Sequence, residues 1–144
     1  MTAVLDAYAV LALLKGEAAA DEVGELLSTG AATMTPLGVA EAMDHLVRLA
    51  GVDPDEAALD LAQLGLLDPA PLTGPVARRA GVLRAAHYHR TKRAVSLADC
   101  VAAETARELD APLATADPHL LELCHDDGIR SIVLVDARGN RWSP

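Results

Sequence analysis

Four carboxylates stand in settings that suit metal-assisted chemistry. Asp6 closes the apolar run Ala3-Val4-Leu5, Glu41 lies within a helical stretch, Asp99 ends Ser96-Leu97-Ala98-Asp99, and Asp117 follows Leu113-Ala114-Thr115-Ala116. Each also has an ordinary structural use. Asp99 stands three residues after Ser96, as the acidic partner of a capping box. Asp117 precedes Pro118, as an N-cap would. Glu41 shares a helical stripe with Leu37, Asp44, His45 and Arg48, and such a stripe can face water. Asp6 can open a turn. Their joint placement says more. Asp6, Asp99 and Asp117 fall at strand ends or helix starts on what would be one edge of a parallel sheet. Two carboxylates ~5 Å apart repel by about 3 kcal/mol at an effective dielectric of about 20. A cluster of four would lose on the order of 10 kcal/mol, which rivals a domain's net stability of ~5–15 kcal/mol. Such a cluster persists when members take up protons or a cation sits among them. A hard cation with oxygen ligands, Mg²⁺ or Mn²⁺, is the natural solution.

The elements that must position these acids follow from the apolar pattern. Ala3-Val4-Leu5 reads as a strand, Tyr8 to Leu14 as a helix closed by Lys15-Gly16, and Asp21 to Leu27 as a short amphipathic helix stopped near Gly30. Ala32-Thr33-Met34 is a candidate second strand. Thr35-Pro36 caps a helix that runs to about Ala50, where Gly51 ends it. A further helix covers Ala57 to Leu64, behind the cap at Asp53. Leu66-Leu67 is a candidate third strand. Pro69, Pro71, Gly74 and Pro75 mark a loop. Helices are expected from Val76 to about His89, from Ser96 to about Leu109, and from Asp117-Pro118 to Gly128. Ala111 to Thr115 and Ile132 to Val135 read as strands. Short apolar strands alternating with helices predict an α/β domain with a mostly parallel sheet flanked by helices. One domain is expected to span residues 1–144. Ligands of such sheets bind beyond the carboxyl ends of the strands, where Asp6 and Thr115 to Asp117 lie.

Composition narrows the classes. The chain has 144 residues, of which 51% are hydrophobic and 2% aromatic, with no Phe. That excludes a disordered acidic tail and argues against an aromatic platform for single-stranded nucleic acid. No apolar run is long enough to span a bilayer, so no membrane partner is expected. The N-terminus lacks a signal-peptide pattern, and two cysteines without an export signal read as reduced thiols of a cytoplasmic protein. The net charge of −9 would repel phosphates. Its distribution changes that picture. No acid falls between Asp68 and Asp99, and this stretch holds Arg78, Arg79, Arg84, Arg90, Lys92 and Arg93, six of the 12 basic residues. These are candidate RNA-binding residues, or equally a solvated helix face.

Val4-Leu5-Asp6-Ala7, Val39-Ala40-Glu41, Ser96-Leu97-Ala98-Asp99-Cys100 and Leu113-Ala114-Thr115-Ala116-Asp117 resemble the four motifs of PIN-domain ribonucleases, in that family's order and at its usual intervals. The length and the immediate N-terminal strand resemble the VapC-type toxins of bacterial toxin–antitoxin pairs. The resemblance covers nearly the whole chain. It implies a PIN-like α/β/α sandwich and a Mg²⁺-dependent endoribonuclease, with Mn²⁺ as the other cation. Asp6, Glu41, Asp99 and Asp117 would be the catalytic acids. The first, third and fourth would hold the metal directly or through water, and Glu41 would position water or a second ion. Thr115 matches a hydroxyl position that supports the metal site. A VapB-type antitoxin covering the acidic groove, a homodimer, and DNA contact only through the antitoxin are the implied partners. The chain departs from many relatives in carrying Tyr8 where they have Ser, Thr or Asn.

Other patterns carry less. His119, Cys124 and His125 suggest a metal trio, but adjacent helix positions point in different directions. No glycine-rich phosphate loop is present. A haloacid-dehalogenase-like phosphatase would need an acid where Tyr8 stands. A phospho-receiver domain would need a Lys after a late strand, and only Lys15 and Lys92 exist. The alternative to an enzyme is a catalytically degenerate PIN-like domain that binds RNA or a protein partner.

Overall fold

The computed structural model describes residues 3–144. Strand β1 (Ala3–Leu5) leads into α1 (Ala7–Lys15) and α2 (Ala20–Ser28), then β2 (Ala32–Thr33), α3 (Pro36–Asp44), α4 (Pro54–Gln63), α5 (Gly74–His87), α6 (Leu97–Glu108), β3 (Leu113–Thr115), α7 (Pro118–Asp127) and β4 (Ser131–Val133). The strands pair in the order β2-β1-β3-β4, and every pairing is parallel. Register sets Leu5 beside Ala114, and the Asp6 N–H donates to the Ala114 carbonyl at 3.3 Å. The chain leaves β1 toward β2 on one side and later returns to β3 on the other. The gap beyond β1 and β3 is therefore the switch point of the sheet, where open α/β folds place their ligands.

Alternation along the strands divides the interior into two layers. Val4 and Leu113 face one side, packed with Ala80, Leu83, Val101, Leu120 and Leu123 from α5, α6 and α7. Leu5 and Ala114 face the other, packed with Val10, Val23, Ala42 and Leu61 from α1 to α4. Helices thus cover both faces of the sheet, an α/β/α sandwich. Its helix starts are capped as their sequences dictate: Thr35 accepts from Gly38, Thr73 from Val76 and Asp53 from Asp55 and Glu56. No helix among the described residues is long and apolar enough to cross a membrane.

One expectation needs correction, and one expected helix carries an irregular turn. Leu66-Leu67 is not a strand. The Leu66 N–H donates to the Leu61 carbonyl at 3.0 Å and the Gly65 N–H to Ala62 at 3.0 Å, with Gly65 at φ 73°. This is a Schellman closure of α4, and the apolar pair is its hydrophobic stop, with Leu66 buried in the α1–α4 layer. The helix from Pro36 does continue to Gly51, but its last turn, His45–Leu49, is π-wound, and the Ala50 N–H donates to the His45 carbonyl at 3.0 Å.

Leu120 is fully buried where α7 meets the sheet. Leu120→Ala is expected to lower unfolding free energy by about 2–5 kcal/mol, read from urea midpoints. A loss under about 1 kcal/mol would contradict this packing.

Candidate functional site

Each acid is placed by the start of an element, apart from Glu41, which projects from the middle of α3. Asp6 is the N-cap of α1. Its Oδ1 accepts from the Ala9 N–H at 2.9 Å, and its Oδ2 accepts from the Thr115 hydroxyl. Thr115 is fully buried at the end of β3 and also accepts the Asp117 N–H at 3.1 Å, so one hydroxyl joins the ends of β1 and β3. Asp117 caps α7 by accepting from His119 at 2.8 Å and Leu120 at 3.4 Å. Asp99 closes the capping box of α6: the Ser96 N–H donates to Asp99 Oδ2 at 2.9 Å, and the Asp99 N–H donates to Ser96 Oγ at 3.0 Å. The structural uses read from the sequence for Asp6, Asp99 and Asp117 are therefore all present.

The same carboxylates also feel one another. Asp6 is 7% exposed, and burial pushes its pKa up to about 7, with Asp99 and Asp117 adding to the rise and the Thr115 and Ala9 bonds opposing it. Burial raises Asp99 as well, and the charge of Asp117 adds to it. Glu41 is raised by partial burial and by Asp99. All four acids are thus linked by charge at the switch point, with Asp99 as the shared member. These are the shifts expected of like charges gathered in a desolvated place.

The donor set is all oxygen, which suits a hard divalent cation. Among the described residues, no three acid, imidazole or thiol side chains are close enough to form a ready-made metal cage. Asp6, Asp99 and Asp117 each commit an oxygen to a backbone N–H. Magnesium tolerates that arrangement, since it keeps several waters and takes one or two carboxylates directly.

The basic stretch divides. Arg79 pairs with Glu104 at 3.4 Å and Glu108 at 2.6 Å. Arg84 donates Nε–H to the Val95 carbonyl at 2.9 Å and stacks on Tyr88 at 4.2 Å. Arg93 pairs with Glu122 and Asp126, both at 2.7 Å, and so ties the 89–93 turn to α7. These three are engaged within the fold. Arg78, Arg90 and Lys92 are exposed and form no ion pair among the described residues. Spacing alone could not divide the six, because the acids that bind Arg79 and Arg93 lie far along the chain. The His119, Cys124 and His125 trio does not assemble: Cys124 is buried, His125 meets Trp142 edge-on at 6.1 Å, and His119 Nδ1 lies against the backbone of Lys92 and Ala94. Tyr8 stands at the lip of the site, outside the carboxylate cluster. In the sequence Tyr8 is marked only as a departure, and the cavity beside it has no signal in spacing.

Thr115→Val keeps the shape of that side chain and removes its hydroxyl. The change strips a bond from Asp6 and leaves the Asp117 N–H unpaired, so unfolding free energy should fall by about 1–3 kcal/mol. The Asp6 pKa should rise further, since the Thr115 bond holds it down. Carboxyl NMR titration of the two proteins, with a thermal melt, checks both, and an unchanged Asp6 titration would contradict the assigned bond.

The PIN domain family model matches residues 3–126. The chain belongs to the PIN-domain family. Solved structures agree in fold. VapBC2 from Rickettsia felis, solved with a DNA fragment from its promoter, superposes with a TM-score of 0.69 at 15% identity, covering 93% of this chain and 99% of that one. VapC20 from Mycobacterium tuberculosis, a sarcin-ricin-loop-cleaving toxin, gives 0.65 at 15% identity, covering 84% and 94%. FitAcB from Neisseria gonorrhoeae gives 0.64 at 16% identity, covering 91% and 96%. None of the curated proteins matches the chain in sequence.

Proposed function

We propose that the chain is a VapC-type toxin, a Mg²⁺-dependent endoribonuclease in which Mn²⁺ can replace magnesium. The observation that carries this reading is the Thr115 hydroxyl that ties Asp6 to the Asp117 backbone at the switch point of a PIN-domain sheet, with Asp99 and Glu41 set so that their charges add to the crowding. Asp6, Asp99 and Asp117 would hold the cation, directly or through water, and Glu41 would orient water from α3. A divalent cation held there would supply Lewis-acid stabilisation of the phosphodiester and a lowered pKa for an attacking water. Thr115 keeps Asp6 aimed at the pocket. Burial raises the Asp6 pKa to about 7, so more of its carboxylate would be open to a cation as pH rises through that value, and apparent affinity for Mg²⁺ is expected to rise with pH. Arg78, Arg90 and Lys92 supply phosphate contacts, and each neutralised phosphate steepens the fall of binding with salt.

The solved relatives include toxin–antitoxin complexes. By that likeness, the partner of this chain is a VapB-type antitoxin, and promoter DNA is met in the complex with it. We further propose that the antitoxin lies over the acids, that DNA is met only through it, and that the toxin is a cytoplasmic homodimer. The test is incubation of the purified chain with single-stranded RNA and Mg²⁺. Cleavage that stops on chelation and returns with Mg²⁺ or Mn²⁺ is expected. Tight RNA binding with no turnover in either metal would contradict the reading and identify a binding module.

A further inference from the structure

A cavity of about 490 Å³ opens beside the acids, walled mainly by Tyr8, Leu11, Ala12, Ala116, Leu134 and Ala137. Its size falls within the range of small-ligand pockets, roughly 300–1,000 Å³. Asp117 belongs both to this cavity and to the carboxylate cluster, so the two are continuous. Lys15, Glu17, Asp117 and Asp136 supply its charged lining. Tyr8 lies two residues after Asp6, in the first turn of α1, with 69% of its surface exposed. In a chain with no Phe, two Tyr and one Trp, this ring is not placed for packing.

We infer that the cavity is a subsite for one unstacked RNA base beside the phosphate to be cut, with Tyr8 as its stacking surface. The inference rests on the nuclease reading above. Sequence-selective RNA sites splay out single bases and stack them on aromatic rings. The base is the neutral, planar part of a nucleotide, and an apolar slot bordered by acids accepts it where a phosphate would be repelled. Ala12, one turn after Tyr8 on the same face of α1, and Ala116 and Ala137 from other segments are small side chains that leave room in the slot. The Lys15 ammonium is engaged by the His45 ring, so Glu17 and Asp136 are left to offer acceptors to the base edge, which favours bases presenting an amino group.

The test uses the Asp99→Asn protein, which keeps the cavity and is expected not to cut, and single-stranded RNA oligonucleotides in which one nucleotide at a time is made abasic. Binding is read by fluorescence anisotropy. Removing the base at one position should weaken binding about 10- to 100-fold, the range of a lost base–aromatic stack. Adding Tyr8→Ala should weaken binding of intact RNA by a similar factor and make it indifferent to that abasic position, whereas Tyr8→Phe should retain the effect. Because Tyr8 is exposed, Tyr8→Ala should melt as the parent does. Equal binding of every RNA with and without the Tyr8→Ala change would overturn the assignment and leave the cavity to another occupant, such as a protein segment. Cleavage by the chain with Asp99 intact is assayed separately. Absence of cutting alongside a Tyr8-dependent abasic effect would contradict the nuclease reading and leave the subsite standing.

Discussion

Asp99→Asn is expected to reduce RNA cleavage by at least about 100-fold and leave the fold intact. The factor is that of removing one preorganised charge from a metal-assisted site. Asp99 is the acid whose charge reaches both Asp6 and Glu41 and which itself responds to Asp117. Its loss unsettles the whole cluster. Stability should hold, for two reasons. The Asn amide oxygen can still accept from the Ser96 N–H, so the cap of α6 survives. One repelling charge also disappears, which lowers the Asp6 and Glu41 pKa values. Cleavage rates measured with matched circular dichroism and urea midpoints check this. Wild-type cleavage by the variant would remove Asp99 from the chemistry.

Asp6→Asn should make the metal-free protein more stable at alkaline pH. Burial raises the Asp6 pKa from 3.8 to about 7 in the folded chain. The native state therefore binds more protons than the unfolded chain between about pH 4 and 7. Stability is highest below that window and falls as pH rises through it. The full loss is on the order of 4 kcal/mol, from about three pKa units at 1.36 kcal/mol each. Asn carries no charge at any pH, can cap Ala9, and can donate to the Thr115 hydroxyl. At about pH 8 the variant should melt up to roughly 10 °C above the parent, and at about pH 4 the two should coincide. Saturating Mg²⁺ should narrow the alkaline gap by stabilising only the parent. Parallel melting curves across the whole pH range would show that Asp6 is not held in its costly state. The same exchange should abolish cleavage, so the site exchanges stability for chemistry at one residue.

Much of the frame was legible because its signals are local. Thr35-Pro36, Ser96 to Asp99 and Asp117-Pro118 mark helix starts by side chains that bond within three residues, and Gly16 and Gly128 end helices at positive φ. Leu66-Leu67 misled because two adjacent leucines look alike in a strand and in the hydrophobic stop of a helix. Only the bond from Leu66 back to Leu61 decides. The acids were legible as types at strand ends and helix starts. Their mutual charge coupling is a property of parallel pairing between β1 and β3, segments more than a hundred positions apart. The fate of the arginines was not legible at all. Arg79 and Arg93 each meet carboxylates on helices late in the chain, so a basic run in sequence became one ion-paired set and one exposed set. The cavity at Tyr8 arises where α1 faces the segment after β4, and no periodicity announces a space between elements.

The most direct measurement is calorimetric titration of the purified chain with Mg²⁺ at about pH 6.5, in two buffers of different ionisation heat, beside Asp99→Asn. A pocket built to trap a cation among crowded carboxylates predicts saturable binding by the wild type, with a substantial fraction of one proton released from Asp6, and affinity at least about tenfold weaker in the variant. Identical titrations for both proteins, or no saturable binding by the wild type, would contradict the account.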